Sequence, residues 1–464
     1  MTLKKSPLDP LLLLPEELGL VTDLYQLTMW AAYRQHRPGV KGVFELWFRE
    51  LPPNRNFLLF AGLGPALAYL QNLRFTQEQV RALADLPAFS GLDESFFQSL
   101  LDFRFTCDVW AMREGTVVFA GEPVLRVEGP LEQAQLVETY LLAVITFSTL
   151  VASKAARVRL AAGNTRVVDF GSRRAHGPLA ACWAARSGYI AGIDATSNVW
   201  ASLFLGIPES GTMAHSFVLA FPDELQAFRA FAQVFPGRTF LLVDTFDTLI
   251  AVERAAADPE LRFLGVRLDS GDLAALARAC RAILDRHGRQ EVKIVASGDL
   301  DEYRIAELQK AQAPIDAYGV GTRMVTSADA PTLQAVYKLV AVENPEGQRR
   351  AVAKTSVGKE TLPGVKQVFR QRKPSGTFAQ DLVMAIEFSP PQGAYEPLLE
   401  PVMEKGQLVT ALPELSQIRT YAQSQLQLLP AQLANLLASV PYEVKFHPPS
   451  RKAMRTGQRG NTTE

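Results

Sequence analysis

A chain of 464 residues, 48% of them hydrophobic, has enough apolar material for a sizeable core and two or three globular domains. Its 48 basic residues balance 48 acidic ones, which argues against a general nucleic-acid or membrane-surface role. Cys107, Cys182 and Cys280 are far apart and odd in number, which argues against a disulfide framework or a structural zinc site and fits a reducing cytoplasm.

Residues 1–20 lead onto the fold. Their leucine run 11–14 stands between Asp9-Pro10 and Pro15 and does not form the apolar segment of a signal peptide. TDLYQLTMWAAYRQ then reads as a helix over 23–35, capped by Thr22, with Leu24, Leu27, Trp30 and Ala31 on its apolar side and Tyr25 off it. KGVFELWF alternates Phe44, Leu46 and Phe48 against Val43, Glu45 and Trp47, the pattern of a strand with one very apolar face. Residues 57–105 are helical and aromatic-rich, and 108–130 form short β runs between glycines and prolines. Together 1–130 make an α+β domain. The apolar run 139–153 is shorter than the roughly 20 residues a bilayer needs and reads as part of a core helix.

From Leu131 the pattern changes. A long helix to about residue 162 precedes strands at 166–169, 189–193, 211–214, 240–243, 262–267, 292–296 and 315–320, alternating with amphipathic helices. Serial βα units predict a parallel sheet, and their number favours a closed or nearly closed, irregular TIM-like barrel over 131–340. The fold class is α/β, with the N-terminal α+β domain completed by C-terminal segments from 341–446 that pack on it and on the barrel. Residues 447–464 read as a disordered basic tail.

In such a barrel the strand ends converge on one mouth. They carry Asp169 and Arg173; Asp194 and Thr196; Thr212 and His215; Asp244 and Asp247; Arg267, Asp269 and Ser270; Ser297, Gly298 and Asp299; then Gly319, Gly321, Thr322 and Arg323. Arginine forks and glycine-backed amides bind phosphate, whereas carboxylates bind magnesium or sugar hydroxyls, so a phosphorylated sugar is the first chemical expectation. Single residues also have structural readings: Ser270 as the cap of a 271–287 helix, Asp244 and Asp247 as caps of the next helix, Gly319 and Gly321 as a tight turn, His215 as a buried structural histidine.

The segments TDLYQLTM (22–29), DFGSRRAHGP (169–178), GIDATSNV (192–199), GTMAHSFV (211–218), GVRLDSGDL (265–273), ASGDL (296–300), YGVGTRM (318–324) and GKETLPGVKQVFR (358–370) resemble, in order, those of the nicotinate phosphoribosyltransferases. The resemblance implies a type II phosphoribosyltransferase that joins nicotinate to phosphoribosyl pyrophosphate with coupled ATP hydrolysis, giving nicotinate mononucleotide and pyrophosphate in NAD salvage. It implies ATP as co-substrate and magnesium as cofactor. His215 matches the histidine that the family phosphorylates. Tyr25 and Phe170 match the aromatic pair that sandwiches the pyridine ring, the tyrosine coming from the partner in a cytoplasmic homodimer with shared active sites. Arg173, Thr212 and Arg267 match residues near nicotinate, with Arg174 as a second cation for its carboxylate. Asp194 and Asp269 match carboxylates around the ribose and magnesium, Asp269 being the metal ligand. Ser297, Gly298, Gly319, Gly321 and Thr322 match the turns around the 5′-phosphate.

The chemistry is consistent with these roles. A pyridine nitrogen already carries a lone pair, so the site must position the ring and stabilise departing pyrophosphate, and no acid/base dyad is needed. Two alternatives stand beside this reading: a nicotinamide phosphoribosyltransferase, which the Arg173-Arg174 pair disfavours because an amide gains little from a second cation, and a catalytically silent nucleotide-binding barrel. Further on, Lys359, Lys366 and Arg370 read either as phosphate-reaching cations or as a solvated edge, and 412–440 as one or two helices.

Overall fold

The strand Lys41–Phe48 is covered on both faces. Phe44, Leu46 and Phe48 enter the N-terminal core as the alternation requires, but Val43 and Glu45 opposite them are equally buried. The computed structural model, which describes residues 15–356, 361–437 and 440–447, explains the second cover. Glu45 pairs with buried Lys366, Nζ to Oε2 at 2.8 Å, beneath the strand Lys366–Arg372. Arg370 of the same strand is buried against Asp381 at 2.6 Å. Lys366 and Arg370 are therefore structural ion pairs, neither phosphate-reaching cations nor a solvated edge. Lys359 and the tail from 448 lie outside the described residues.

Lys41–Phe48 belongs to a seven-stranded antiparallel sheet in the order Arg349–Ala351, Ala335–Glu343, Lys41–Phe48, Pro123–Pro130, Asp108–Ala111, Glu400–Glu404, Gln407–Leu408. Four of these strands come from beyond residue 334, so the unit at 1–130 is completed by the C-terminal part of the chain. The first helix, Leu24–His36, begins at Asp23 in place of Thr22. Asp23 accepts from Thr139 Oγ1 at 2.7 Å, while Thr22 turns its hydroxyl to the Leu136 carbonyl.

The helix expected over 131–162 is two, Leu131–Leu136 and Glu138–Ala162. With 25 residues and an 18-residue window of mean hydropathy 1.5, the second is long and apolar enough to cross a membrane by length and composition, which corrects the shorter apolar run read from the sequence. It is nonetheless a core helix. Leu141 and Ile145 enter the N-terminal core, whereas Ala152, Ala155 and Ala156 pack under the parallel sheet, small side chains letting the strands approach closely. Each fully buried aliphatic side chain contributes roughly 1.5–3 kcal/mol, so this helix holds the two layers together.

The parallel sheet has six strands in the order Ala195–Thr196, Arg166–Asp169, Ala317–Val320, Lys293–Ala296, Gly265–Leu268, Phe240–Leu242. Its ends do not pair, so it is a curled half-barrel, open where a closed or nearly closed barrel was expected. Two expected strands are absent for a local reason. Tyr189 and Ile190 finish the alanine-rich helix Pro178–Ile190, after which Gly192 turns the chain at φ +107°. Residues 211–214 form a loop that leads to the short helix His215–Leu219 and do not line the gap with a strand. Helix Leu415–Gln427 packs across Pro178–Ile190, joining the C-terminal segment to the half-barrel.

Candidate active site

The strand Arg166–Asp169 ends with Asp169 buried. Its carboxylate accepts from the Gly171 amide and from Thr196 Oγ1, both at 2.8 Å. Burial pushes the carboxyl up and these two bonds hold it down, with burial the larger effect. The pinned turn releases Phe170 and then a short 3-10 turn, Ser172–Arg174. Phe170, Arg173 and Arg174 line one side of a cleft of about 220 Å³, and Arg267, Asp269, Ser297, Gly298, Gly319, Gly321 and Thr322 complete it, together with Asp299 and Val320. Arg173 and Arg174 are exposed and have no carboxylate partner among the described residues.

Arg267 organises this cleft. Its Nε donates to Ser297 Oγ at 2.8 Å, Nη1 to Thr212 Oγ1 at 3.0 Å and Nη2 to Asp269 Oδ1 at 2.8 Å, and its guanidinium carbon stands 5.3 Å from the Phe170 ring centre. One side chain thus joins four of the residues singled out from the sequence. Ser297 Oγ also donates to Asp269 Oδ1. Burial opposes ionisation of Asp269, but the bonds from Ser297 and Arg267 win and hold its carboxyl below the ordinary carboxylate value. Two glycines are required by close approach. A Cβ on Gly298, which sits at φ +94°, would overlap the Asp269 carbonyl, and one on Gly319 would lie 2.5 Å from Phe170 Cδ2.

His215 stands at the start of its helix, beside this cluster. Its Nδ1 is 3.1 Å from Thr245 Oγ1 and its Nε2 is 3.9 Å from Asp244 Oδ1. Asp244 Oδ2 accepts from the Asp269 amide at 3.1 Å and from Ser270 Oγ at 2.8 Å, while its Oδ1 is buried with no hydrogen-bond partner. Ser270 thereby belongs to this network, and the helix Leu273–Arg286 is capped by Asp272. Asp247 caps its own helix, Thr248–Ala257, as expected.

Two of the expected site residues do not line the cleft of their own chain. Asp194 is held by Arg159 at 3.0 Å, Arg419 at 2.8 Å and the Val167 amide at 2.9 Å; both of its oxygens are engaged, and it is not among the residues lining the cleft. It clips the C-terminal helix to the half-barrel, because Arg419 also donates to the Tyr189, Gly192 and Ile193 carbonyls. Tyr25 lies half-exposed on Leu24–His36, away from the cleft of its own chain, and donates to Glu138 Oε2 at 3.2 Å. Partial burial and then Glu138 push its hydroxyl up to about 12.

The sequence reading noted Asp299 and Asp244 at strand ends without giving them site roles. Asp299 lines the cleft at φ +48°, next to Gly298, a conformation that aspartate tolerates better than most residues. Thr245, following Asp244 directly, carries a signal only through its neighbour.

Exposed cations, one aromatic face and glycine-lined turns suit a planar anion beside a phosphate. Sequence models of the nicotinate phosphoribosyltransferases match here: the N-terminal domain over residues 20–146, the family itself over 165–382 and the C-terminal domain over 390–453. Nicotinate phosphoribosyltransferase pncB2 of Mycobacterium tuberculosis is 46% identical over 424 residues, covering 90% of this chain and 89% of the relative. The nicotinate phosphoribosyltransferase of Bacillus subtilis is 40% identical over 447 residues, covering 89% and 90%. The crystal structure of human nicotinic acid phosphoribosyltransferase superposes with a TM-score of 0.80 at 31% identity, covering 94% of this chain and 99% of that one. The chain is therefore an enzyme of the nicotinate phosphoribosyltransferase family.

Proposed function

We propose that this enzyme joins nicotinate to phosphoribosyl pyrophosphate in NAD salvage, with ATP hydrolysis coupled through phosphorylation of His215. The observation that carries the reading is the Arg267 hub, which joins Phe170, Ser297 and Asp269 in one cleft, and Thr212 beside it, with two arginines that have no carboxylate partner among the described residues. Phe170 presents a face to the pyridine ring, and Arg173 and Arg174 take the carboxylate. The turns at Ser297-Gly298 and at Gly319, Gly321 and Thr322 receive the 5′-phosphate. The ring nitrogen attacks the anomeric carbon as its bond to pyrophosphate breaks, and Arg267 offsets negative charge on the leaving group.

In the tautomer that donates Nδ1–H to Thr245 Oγ1, Nε2 of His215 carries the lone pair, with Asp244 at 3.9 Å too far to accept a hydrogen bond from it. Nε2 is thus the nitrogen that attacks the γ-phosphorus of ATP, releasing ADP; water later takes the phosphoryl group from it. Asp244 and Asp269 suit magnesium. Asp244 Oδ1 is buried without a hydrogen-bond partner. One or two carboxylates plus substrate phosphates is how such an ion is usually held, and when bound it offsets charge on pyrophosphate.

A second copy of the chain would complete the site with Tyr25. The exposed Leu24 and Tyr25, and Val199, Trp200, Leu203 and Phe204 gathered on the helix Val199–Leu205, support a homodimer. Three free thiols fit a reducing cytoplasm. The test is pyrophosphate release from phosphoribosyl pyrophosphate and magnesium, with nicotinate or nicotinamide, each with and without ATP. Release with nicotinate, stimulated by ATP, is expected. Release with nicotinamide alone would reverse the roles given to Arg173 and Arg174, and no release with either base would leave a silent barrel.

A further inference from the structure

Among the residues that do not line the cleft is a buried cluster of charge that the reaction above does not use. The helix Glu138–Ala162 contributes Lys154 and Arg157, each no more than 3% exposed. Lys154 Nζ is 2.6 Å from Glu302 Oε2 and 2.8 Å from Asp329 Oδ1. Arg157 Nε is 2.8 Å from Glu302 Oε1, and Arg55 is 3.1 Å from Asp329 and 2.6 Å from Ser327 Oγ. Glu302 opens the helix Glu302–Lys310, which leaves directly from the turn at Ser297, Gly298 and Asp299. Asp329 follows the short helix Thr322–Val325, which leaves directly from the turn at Gly319 and Gly321.

The bookkeeping of charge separates Lys154 from its neighbours. Arg157 already compensates Glu302, and Arg55 already compensates Asp329. Lys154 is needed to neutralise neither, yet among the described residues it is the cation within ion-pair distance of both. Holding an ammonium at 1% exposure is costly unless it is paired, and its two ion pairs here reach one residue just after each of two separate turns. We infer that Lys154 is a positioning residue that sets the spacing of the two turns, so that their amides and hydroxyls close on one phosphate. The inference rests on the reading that these turns hold the 5′-phosphate.

The test compares Lys154→Met, Asp329→Ala and Thr322→Val in the full-length enzyme, with separate KM values for phosphoribosyl pyrophosphate and nicotinate and a thermal melt for each. Lys154→Met is expected to raise the KM for phosphoribosyl pyrophosphate on the order of tenfold while moving that for nicotinate by less than about twofold. Asp329→Ala, at a partly exposed position that leaves the Lys154–Glu302 pair intact, is expected to do the same to a smaller extent, and it serves if Lys154→Met does not fold. If Lys154→Met and Asp329→Ala lower only the melting temperature, and Thr322→Val still raises the KM, the positioning role is overturned and the phosphate reading stands. If Thr322→Val also leaves that KM unchanged, both are overturned.

Discussion

Replacing Gly319 with alanine tests whether the Phe170 face sets nicotinate binding. Gly319 lies in the strand Ala317–Val320 and is not among the glycines with positive φ, so its backbone accepts a side chain. The obstacle is the ring. An alanine Cβ would lie 2.5 and 2.6 Å from Phe170 Cδ2 and Cε2 and 3.1 Å from Ser297 Cβ, whereas carbon atoms rest at about 3.5–4.0 Å. The ring must retreat by about 1 Å, at an overpacking cost of about 1–3 kcal/mol that the fold can absorb. A displacement of that size at a reacting ring can cost up to about a hundredfold, so kcat/KM for nicotinate should fall roughly 10- to 100-fold, or about 1.4–2.7 kcal/mol. Pyrophosphate release against nicotinate at saturating phosphoribosyl pyrophosphate measures this, with a melt to verify folding. The mechanism demands non-additivity: once Phe170→Leu has removed the ring edge, Gly319→Ala should add little. An equal further loss in the Phe170→Leu background, or no loss in the single variant, would refute the reasoning.

Three other outcomes are expected. His215→Ala should abolish ATP stimulation and leave slow nicotinate transfer; full ATP stimulation in steady-state assays would end the phosphohistidine assignment. Arg174→Ala should reduce kcat/KM for nicotinate more than for nicotinamide, and equal losses would remove the case for acid selectivity. Arg186→Met should cost about 3–5 kcal/mol in a denaturant titration, because it strands buried Glu114, which Arg186 binds at 2.6 and 2.8 Å. Burial opposes ionisation of Glu114, but Arg186 and the Gly62 and Gly64 amides hold its carboxyl below the ordinary value. In the parent this stabilisation is present above the unfolded pKa of about 4.3 and is lost as pH falls through the lower folded value. In the variant burial is no longer offset by Arg186, so stability should instead rise as pH falls from 7 to 5. A variant that loses stability on acidification over that range would contradict the pairing.

Local pattern carried much of this protein. Period-2 and helical runs marked the alternation of strands and helices, and abrupt stops at glycine and charge marked the strand ends. Phe170, Arg173, Arg174, Arg267, Asp269, Ser297 and the glycine turns do line one cleft. Asp194 had the same local signature and lies elsewhere, because Arg419, 225 residues on in the chain, and Arg159 claim its carboxylate. Lys366 and Arg370 alternate along a strand as solvated cations would, yet the amide of Lys366 reaches Glu45 across 321 residues and Arg370 is sealed against Asp381. The sheet is open as well: residues 211–214, expected as a strand, are a loop in which Thr212 accepts from Arg267. Periodicity and turn chemistry act over a few residues and can be read from order alone. The partner of a buried charge and the pairing of a sheet edge are settled by distant segments meeting in space, where desolvation selects the contacts that remain.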